Sequence, residues 1–336
     1  MKKMVMKGIG RYLAERVVTN DDLTKIMDTS DEWIQQRTGI EERRWIPEGS
    51  NLGSSDLGLE ASKIALSRAG WEPEDLDLII FATLSPDLFF PGSGCLLQSK
   101  LGLKSTPAID IRQQCTGFLY GMEIADAYIK SGYASRILVV GAEVHSTGLE
   151  MATRGRDVTV IFGDGAGAVC LEGVETDENI GLLATSLHAQ GDYAEALMVE
   201  APASRNNPRL TKEMFDDGRI FPKMDGRNIF KLAIKRLPEI SQVVLDKAGL
   251  TIDDIDMVIP HQANLRINQF FQKSMNIPDE RIYNNIQKYG NTTAGTIPIA
   301  LDEVIEKKLI PKEKGTVLFA GLGAGVTWGA MIFRFM

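Results

Sequence analysis

Apolar runs of strand length alternate along the chain with amphipathic stretches, and glycine-rich or acidic turns mark many of the handovers. Ile137-Leu-Val-Val140, Ala168-Val-Cys-Leu171 and Thr316-Val-Leu-Phe-Ala320 are unbroken apolar runs, the pattern of strands buried on both faces. Val158-Thr-Val-Ile-Phe162 and Val326-Thr-Trp-Gly-Ala-Met-Ile-Phe333 also read as strands. In Ala61–Arg68, Phe118–Ile129 and Ile240–Lys247 the apolar positions recur with a helical period, which predicts helices. Strand alternating with helix predicts an α/β fold.

One segment of this pattern occurs twice. Ala69-Gly-Trp-Glu-Pro-Glu-Asp-Leu-Asp-Leu-Ile-Ile80 and Ala248-Gly-Leu-Thr-Ile-Asp-Asp-Ile-Asp-Met-Val-Ile259 share five identities at an offset of 179 residues. In each copy a helix stops at Ala-Gly, an acidic loop follows, and an apolar strand begins. An offset of half the chain predicts a duplicated α/β unit, one half over 1–178 and the other over 179–336.

Composition narrows the function classes. With 336 residues, 44% hydrophobic and 24% charged, the chain can bury a large core and is not a disordered protein. A formal net charge of −8 argues against a general nucleic-acid or membrane-surface binder but allows a local basic patch. The three cysteines, Cys95, Cys115 and Cys170, form no Cys-x-x-Cys pair, so neither a disulfide framework nor a metal site is expected. A reducing cytoplasm fits that usage. After Met1-Lys-Lys, residues Gly8, Gly10, Arg11 and Glu15 interrupt any apolar run, so neither a signal peptide nor a membrane span is expected. Ala201–Lys223, rich in Pro, Asn, Arg and Asp, reads as a mobile surface insertion. The clusters Gly163–Gly167 and Gly321–Gly325 each lie between predicted strands. Phosphate-binding glycine loops run from strand to helix, so these read as tight turns.

Cys115 is the leading candidate for chemistry. It lies where the predicted strand Ala108–Ile111 hands over to the helix that starts near Phe118. A helix N-terminus favours the thiolate, so the expected thiol pKa is lowered. Two distant segments offer partners. Val258–Arg266 sets His261 at the end of a strand, with a helix beginning around Ala263, and Tyr289–Pro298 sets Asn291 in a turn before a helix. Strand C-terminal ends converge on one edge of an α/β sheet, so the three can meet there. Taken singly, each has a plainer role as buried thiol, structural His or turn Asn. Cys95, Cys170, His145 and His188 read as structural.

Together these motifs resemble the 3-oxoacyl-[acyl-carrier-protein] synthase III family (β-ketoacyl-ACP synthase III) of the thiolase superfamily. The likeness runs nearly end to end. It includes Asp28–Ile40, Phe90-Pro91, Cys115–Phe118, Ile161–Gly167, Pro260–Asn264, Gly290–Thr292 and Gly325–Gly329. The resemblance implies a duplicated five-layer αβαβα fold in a homodimer, with no metal or redox cofactor. It implies that Cys115 is acylated by an acyl-CoA, and that His261 (through Nε2–H) and Asn291 stabilise the enolate formed when malonyl-acyl carrier protein loses CO2. Backbone N–H groups of Cys115 and Ala324 would form the oxyanion hole. Thr29, Trp33, Arg37, Arg156 and Asn264 would bind coenzyme A, with adenine between Trp33 and Arg156. Phe90 would close the acyl pocket across the dimer interface, and Lys231, Arg266 and Lys273 would dock the acidic carrier protein.

The sequence also departs from the family pattern. Gln113-Gln114 precede Cys115 where small residues are common, and the last glycine turn reads Gly323-Ala324-Gly325. Asn291-Thr-Thr-Ala-Gly-Thr296 differs in its second half, and Ala201–Lys223 is long. These differences leave the reaction type intact and put the acyl substrate in question. The alternatives are a related condensing enzyme of specialised metabolism with another donor or acceptor, a Cys-His-Asn hydrolase, and a non-enzymatic subunit.

Overall fold

Every side chain of Leu78-Ile-Ile-Phe-Ala82 is buried, and the strand accordingly lies inside a sheet rather than at its edge. The computed structural model describes residues 2–311 and 313–336. The first sheet runs in the order Lys2–Leu13, Gly165–Glu175, Arg136–Glu143, Leu78–Ala82, Ala108–Ile111. Its last three strands are parallel, with Ile79 opposite both Leu138 and Ala108. The second sheet runs Met257–Pro260, Thr316–Gly323, Thr327–Arg334, Gly181–Ala189. Only its first pair is parallel, with Met257 opposite Val317.

Helices fill the spaces around these sheets. Ser54–Ala69 covers one face of the first sheet through Leu57, Ala61 and Ala65. Gly117–Ser131 and Thr296–Glu306 lie between the sheets, where Phe118, Met122, Ile297 and Leu301 share one core with Ile80 and Phe319. Gly226–Ala248 covers the outer face of the second sheet through Leu237, Ile240 and Val244. The result is the expected five-layer αβαβα order. Each fully buried Leu, Ile or Phe of this kind contributes about 1.5–3 kcal/mol.

The short sequence repeat corresponds to matched local structure. Both long outer helices end at a left-handed glycine, Gly70 (φ 69) and Gly249 (φ 66). Each is followed by a 3-10 turn, Pro73–Asp75 and Ile252–Asp254. Asp77 and Asp256 then each donate a backbone N–H to a neighbouring strand, at Arg136 O and Thr316 O, both 2.9 Å. The match extends to the central helices. Gln114–Thr116 leads into Gly117–Ser131 as Thr293–Gly295 leads into Thr296–Glu306.

Two expectations are corrected. Val158–Phe162 is no strand: Arg156–Thr159 is a short helix and a turn follows. An apolar run of this length cannot be told from a buried helical turn by periodicity. Side chains take two of its carbonyls and backbone N–H groups of Ile161 and Asn291 take two more. Arg43 Nη2 donates to Val160 O at 2.8 Å, and Trp45 Nε1 donates to Phe162 O at 3.0 Å. The cluster Gly163–Gly167 therefore runs from that turn into a strand. Ala201–Lys223 is also more than a surface insertion. It contains the helix Lys212–Asp216 capped by Thr211, and Ala201 is fully buried and donates to Arg219 O at 3.0 Å. Arg154 Nη1 ties it down at Asp216 O, 3.0 Å.

Candidate active site

Cys115 sits in the 3-10 turn that opens the central helix Gly117–Ser131, and it is 6% exposed. Gly323, at the end of a strand of the other sheet, presses against it. A Cβ there would come within 2.7 Å of Cys115 Cβ, so this close approach requires glycine. The backbone N–H groups of the next residue, Ala324, and of Cys115 itself lie near enough to the thiol to favour its ionised form. The thiol pKa nevertheless differs from expectation. Burial, and secondly the Glu143 carboxylate, push it up to about 12, against the pull of those two N–H groups. At this helix entrance desolvation outweighs the terminus.

His261 follows the strand Met257–Pro260 and is held by its N–H on Ala320 O at 2.8 Å. Gly321 lies between it and Cys115: a Cβ there would be 3.5 Å from His261 Cβ and 3.8 Å from Cys115 O. Burial pushes the His261 pKa down to about 3, so the ring is neutral. Its Nδ1 meets Thr296 Oγ1 at 2.7 Å, while Nε2 is buried with no partner among the described residues. The helix expected from Ala263 begins at Leu265, with Asn264 as its cap.

Asn291 is clamped by its backbone, donating to Ile161 O at 2.9 Å and accepting from Gly163 N at 3.1 Å. Its Oδ1 accepts from Thr293 N at 2.8 Å, which leaves Nδ2 as the end free to donate. Thr296 Oγ1 donates to Thr293 O at 2.9 Å. A hydrogen-bonded path thus joins Asn291, Thr293, Thr296 and His261. The two helix entrances also adjoin, since a Cβ on Gly117 would lie 3.3 Å from Ala294 Cβ. Cys115, His261 and Asn291, far apart in sequence, are therefore gathered at one place.

Both entrances carry backbone strain. Gln114 (φ 43) precedes Cys115, and Thr293 (φ 48) lies two residues after Asn291. A non-glycine residue in this region costs on the order of 1–3 kcal/mol. Sequence reading missed both, because a strained dihedral leaves no mark on residue type. It also missed Glu143, which ends the buried strand Arg136–Glu143 and accepts from Thr83, Leu84 and Ser85. Burial pushes its carboxyl up to about 7. The signal available was a charge closing an otherwise apolar run.

The other expected residues fall into groups. The guanidinium carbons of Arg37 and Arg156 stand 4.3 Å and 4.5 Å from the Trp33 ring centroid. Asn264 Nδ2 donates to Arg37 O at 2.9 Å, and Thr29 Oγ1 is buried with no partner among the described residues. Adenine between Trp33 and Arg156 needs about 3.5–4 Å on each side, so in this state that slot is closed. Phe90 is 80% exposed and does not line the Cys115 cavity of its own chain. Lys231, Arg266 and Lys273 are exposed, and Arg266 lies over Phe230 at 5.7 Å, beside Lys231. Cys170 is fully buried, Cys95 is exposed, and His188 stacks on Trp328 with centroids 5.2 Å apart. Among the described residues no His, Cys, Asp and Glu group could hold a metal ion, and no helix is long and apolar enough to cross a membrane.

Comparison with known proteins gives a consistent result. Residues 109–216 match the family described as 3-oxoacyl-[acyl-carrier-protein (ACP)] synthase III, and residues 245–335 match its C-terminal part. A β-ketoacyl-[acyl-carrier-protein] synthase III of Fusobacterium nucleatum is 41% identical over 334 residues, 99% of each chain. One from Aquifex aeolicus is 42% identical over 328 residues, 98% of each. Among solved structures, 3-oxoacyl-[acyl-carrier-protein] synthase III of Aquifex aeolicus superposes with TM-score 0.88 at 41% identity over 100% of both chains. The Thermus thermophilus structure superposes with TM-score 0.89 at 36% identity over 99% of both.

Proposed function

We propose that this chain, which belongs to the 3-oxoacyl-[acyl-carrier-protein] synthase III family, makes the first carbon–carbon bond of fatty-acid synthesis. It joins an acyl-CoA starter to malonyl-acyl carrier protein. The products are 3-oxoacyl-acyl carrier protein, CO2 and coenzyme A. The observation that carries the mechanism is the convergence of the Cys115 thiol, packed on Gly323 next to Ala324, with an imidazole anchored by Thr296 and an amide oriented by Thr293.

In the first half-reaction Cys115 Sγ attacks the thioester carbonyl, the bond to the coenzyme A sulfur breaks, and the thiol proton leaves with coenzyme A. The N–H groups of Cys115 and Ala324 face the place where the oxyanion develops, and a donor so aimed is worth about 2.7–4 kcal/mol. In the second half-reaction the malonyl carboxylate departs as CO2 and leaves an enolate. Asn291 Nδ2 and a protonated His261 Nε2 stabilise its oxygen. The enolate carbon attacks the acyl-Cys115 carbonyl, and the Cys115 thiolate is expelled and reprotonated. One solvent proton is consumed per cycle. Release of CO2 drives the bond, so the reading needs no resident cofactor.

The same reading assigns coenzyme A to Thr29, Trp33, Arg37, Arg156 and Asn264. Arg156 swings off the indole to admit adenine. The carrier protein docks on Lys231, Arg266 and Lys273. Phe90, exposed in the single chain, serves the acyl pocket of a second copy in a cytoplasmic homodimer. The halves 1–178 and 179–336 act as two copies of one unit. Intact-protein mass spectrometry tests the chemistry. An acyl adduct on Cys115, discharged by malonyl-acyl carrier protein and stable in buffer, is the expected result. An adduct lost to water alone would indicate a hydrolase instead.

A further inference from the structure

The cavity that opens from Cys115 encloses about 600 Å3. Leu84, Val144, Leu149, Phe162, Leu197 and Met198 give it an apolar wall suited to an acyl chain. Ile220 and Pro222, from the segment expected to be a free surface loop, close one side. One side chain in this wall is of another kind. His145 lines the cavity, is 8% exposed, and packs its ring 4.6 Å from that of Phe162.

The proton on His145 can be located from its neighbour. Its Nε2 lies 2.6 Å from Thr293 Oγ1. Thr293 is fully buried, and its hydroxyl has no other partner among the described residues. A buried hydroxyl must place its hydrogen, and Nε2 is the acceptor within reach. The ring therefore carries its own proton on Nδ1. Burial keeps it neutral, with the pKa pushed down to about 3. Nδ1 has no partner among the described residues, and it belongs to a side chain that lines the cavity. A donor so placed is costly to cover with a hydrocarbon chain, because its hydration is lost without replacement. Arg112 and Gln114 line the same cavity and add further donors.

We propose that the starter acyl chain carries a hydrogen-bond-accepting oxygen (keto, hydroxyl or carboxylate) that the His145 Nδ1–H recognises. The proposal rests on the reading of Cys115 as the acylated nucleophile. A site built to pair a polar group rejects an analogue that lacks it more strongly than it rejects a change of one methylene. Discrimination of about ten- to hundredfold against a plain alkyl chain of equal length is expected.

The test is a competition read by intact mass. The protein is mixed with equal amounts of butyryl-CoA and one oxygenated four-carbon thioester: 3-oxobutyryl-, 3-hydroxybutyryl- or succinyl-CoA. At least one oxygenated acyl group should exceed butyryl on Cys115 by about tenfold or more, and the winning arm identifies which oxygen is read. His145→Leu and His145→Phe, the latter keeping a ring against Phe162, should both remove that preference while still forming the butyryl adduct. Equal or greater butyryl adduct in the unmodified protein, or an unchanged ratio in both variants, would overturn the proposal and leave the role of Cys115 standing. No adduct with any thioester would overturn the role of Cys115, and this proposal with it.

Discussion

Thr296 Oγ1 stands 2.7 Å from His261 Nδ1 and 2.9 Å from the Thr293 carbonyl oxygen, and its single hydrogen can serve only one of them. When it serves Thr293, the imidazole proton sits on Nδ1 and Nε2 is bare. When it turns to Nδ1, the proton sits on Nε2 and can be donated to an enolate. The proposed condensing step requires the second setting.

Thr296→Val removes both settings. Condensation should fall about ten- to hundredfold while acylation of Cys115 stays within about twofold, and Thr296→Ser should restore condensation. Single-turnover assays of the two half-reactions separate these effects. Condensation at the unmodified rate in the valine variant would remove Thr296 from the mechanism.

His261→Ala and Asn291→Ala should each spare acylation and reduce condensation by at least about tenfold. Cys115→Ala should abolish both. Equal loss of both half-reactions in the His261 and Asn291 variants would overturn their assignment to the enolate.

Glu143 should impose a pH dependence on the thiol. Its carboxyl titrates near 7, and its negative charge above that pH is the second cause of the raised Cys115 pKa. Replacing it with neutral Gln lowers the thiol pKa where Glu143 is ionised and leaves it unchanged where Glu143 is protonated. Iodoacetamide should therefore alkylate Cys115 several-fold faster in Glu143→Gln above about pH 7.5, with no difference below about pH 6. A constant ratio across that range would contradict the assignment.

Asp302 should matter for stability rather than chemistry. It is 1% exposed and pairs with Arg11 at 2.5 Å and with Arg68, joining the first strand and an outer helix to the central helix Thr296–Glu306. The two arginine side chains are 23% and 43% exposed, so part of each charge remains solvated. Asp302→Ala should lower unfolding free energy by about 1–3 kcal/mol, below the range for fully buried pairs. The urea midpoint measures this, and an unchanged midpoint would show the pairs to be neutral.

Recognition of the two substrates should separate by surface. Trp33→Ala should raise the KM for acyl-CoA about tenfold or more. Arg266→Glu should raise the KM for the carrier protein and leave acyl-CoA turnover alone, with the effect shrinking at high salt. A salt-independent or unchanged KM in the second variant would remove the docking patch.

The layers, and the meeting of Cys115, His261 and Asn291 at one place, were legible because each rests on residue type and spacing. Ala-Gly stops and apolar strands are local signals, and Cys115, His261 and Asn291 each sit where a strand or turn gives way to a helix. What stayed hidden depends on neighbours distant in sequence. The thiol pKa is set by burial and by Glu143, 28 residues away. In Val158–Phe162, Arg43 and Trp45 take the carbonyls of Val160 and Phe162, and Asn291, 130 residues on, takes that of Ile161. Nothing near His145 in sequence shows its 2.6 Å contact with Thr293, 148 residues away.

The division of the sheets has a topological consequence. All strands of the first sheet come from residues 2–175 and all strands of the second from 181–334. Gly181, where the second set begins, packs against the Met4 backbone and pairs with Arg334. The junction between the sets thus shares one corner with the earliest and latest strands. A chain read from 180 to 336 and then, through a short linker, from 2 to 176 would keep every strand pairing. In connectivity the fold is a ring, and the point at which it is opened is not what holds the thiol, the imidazole and the amide together.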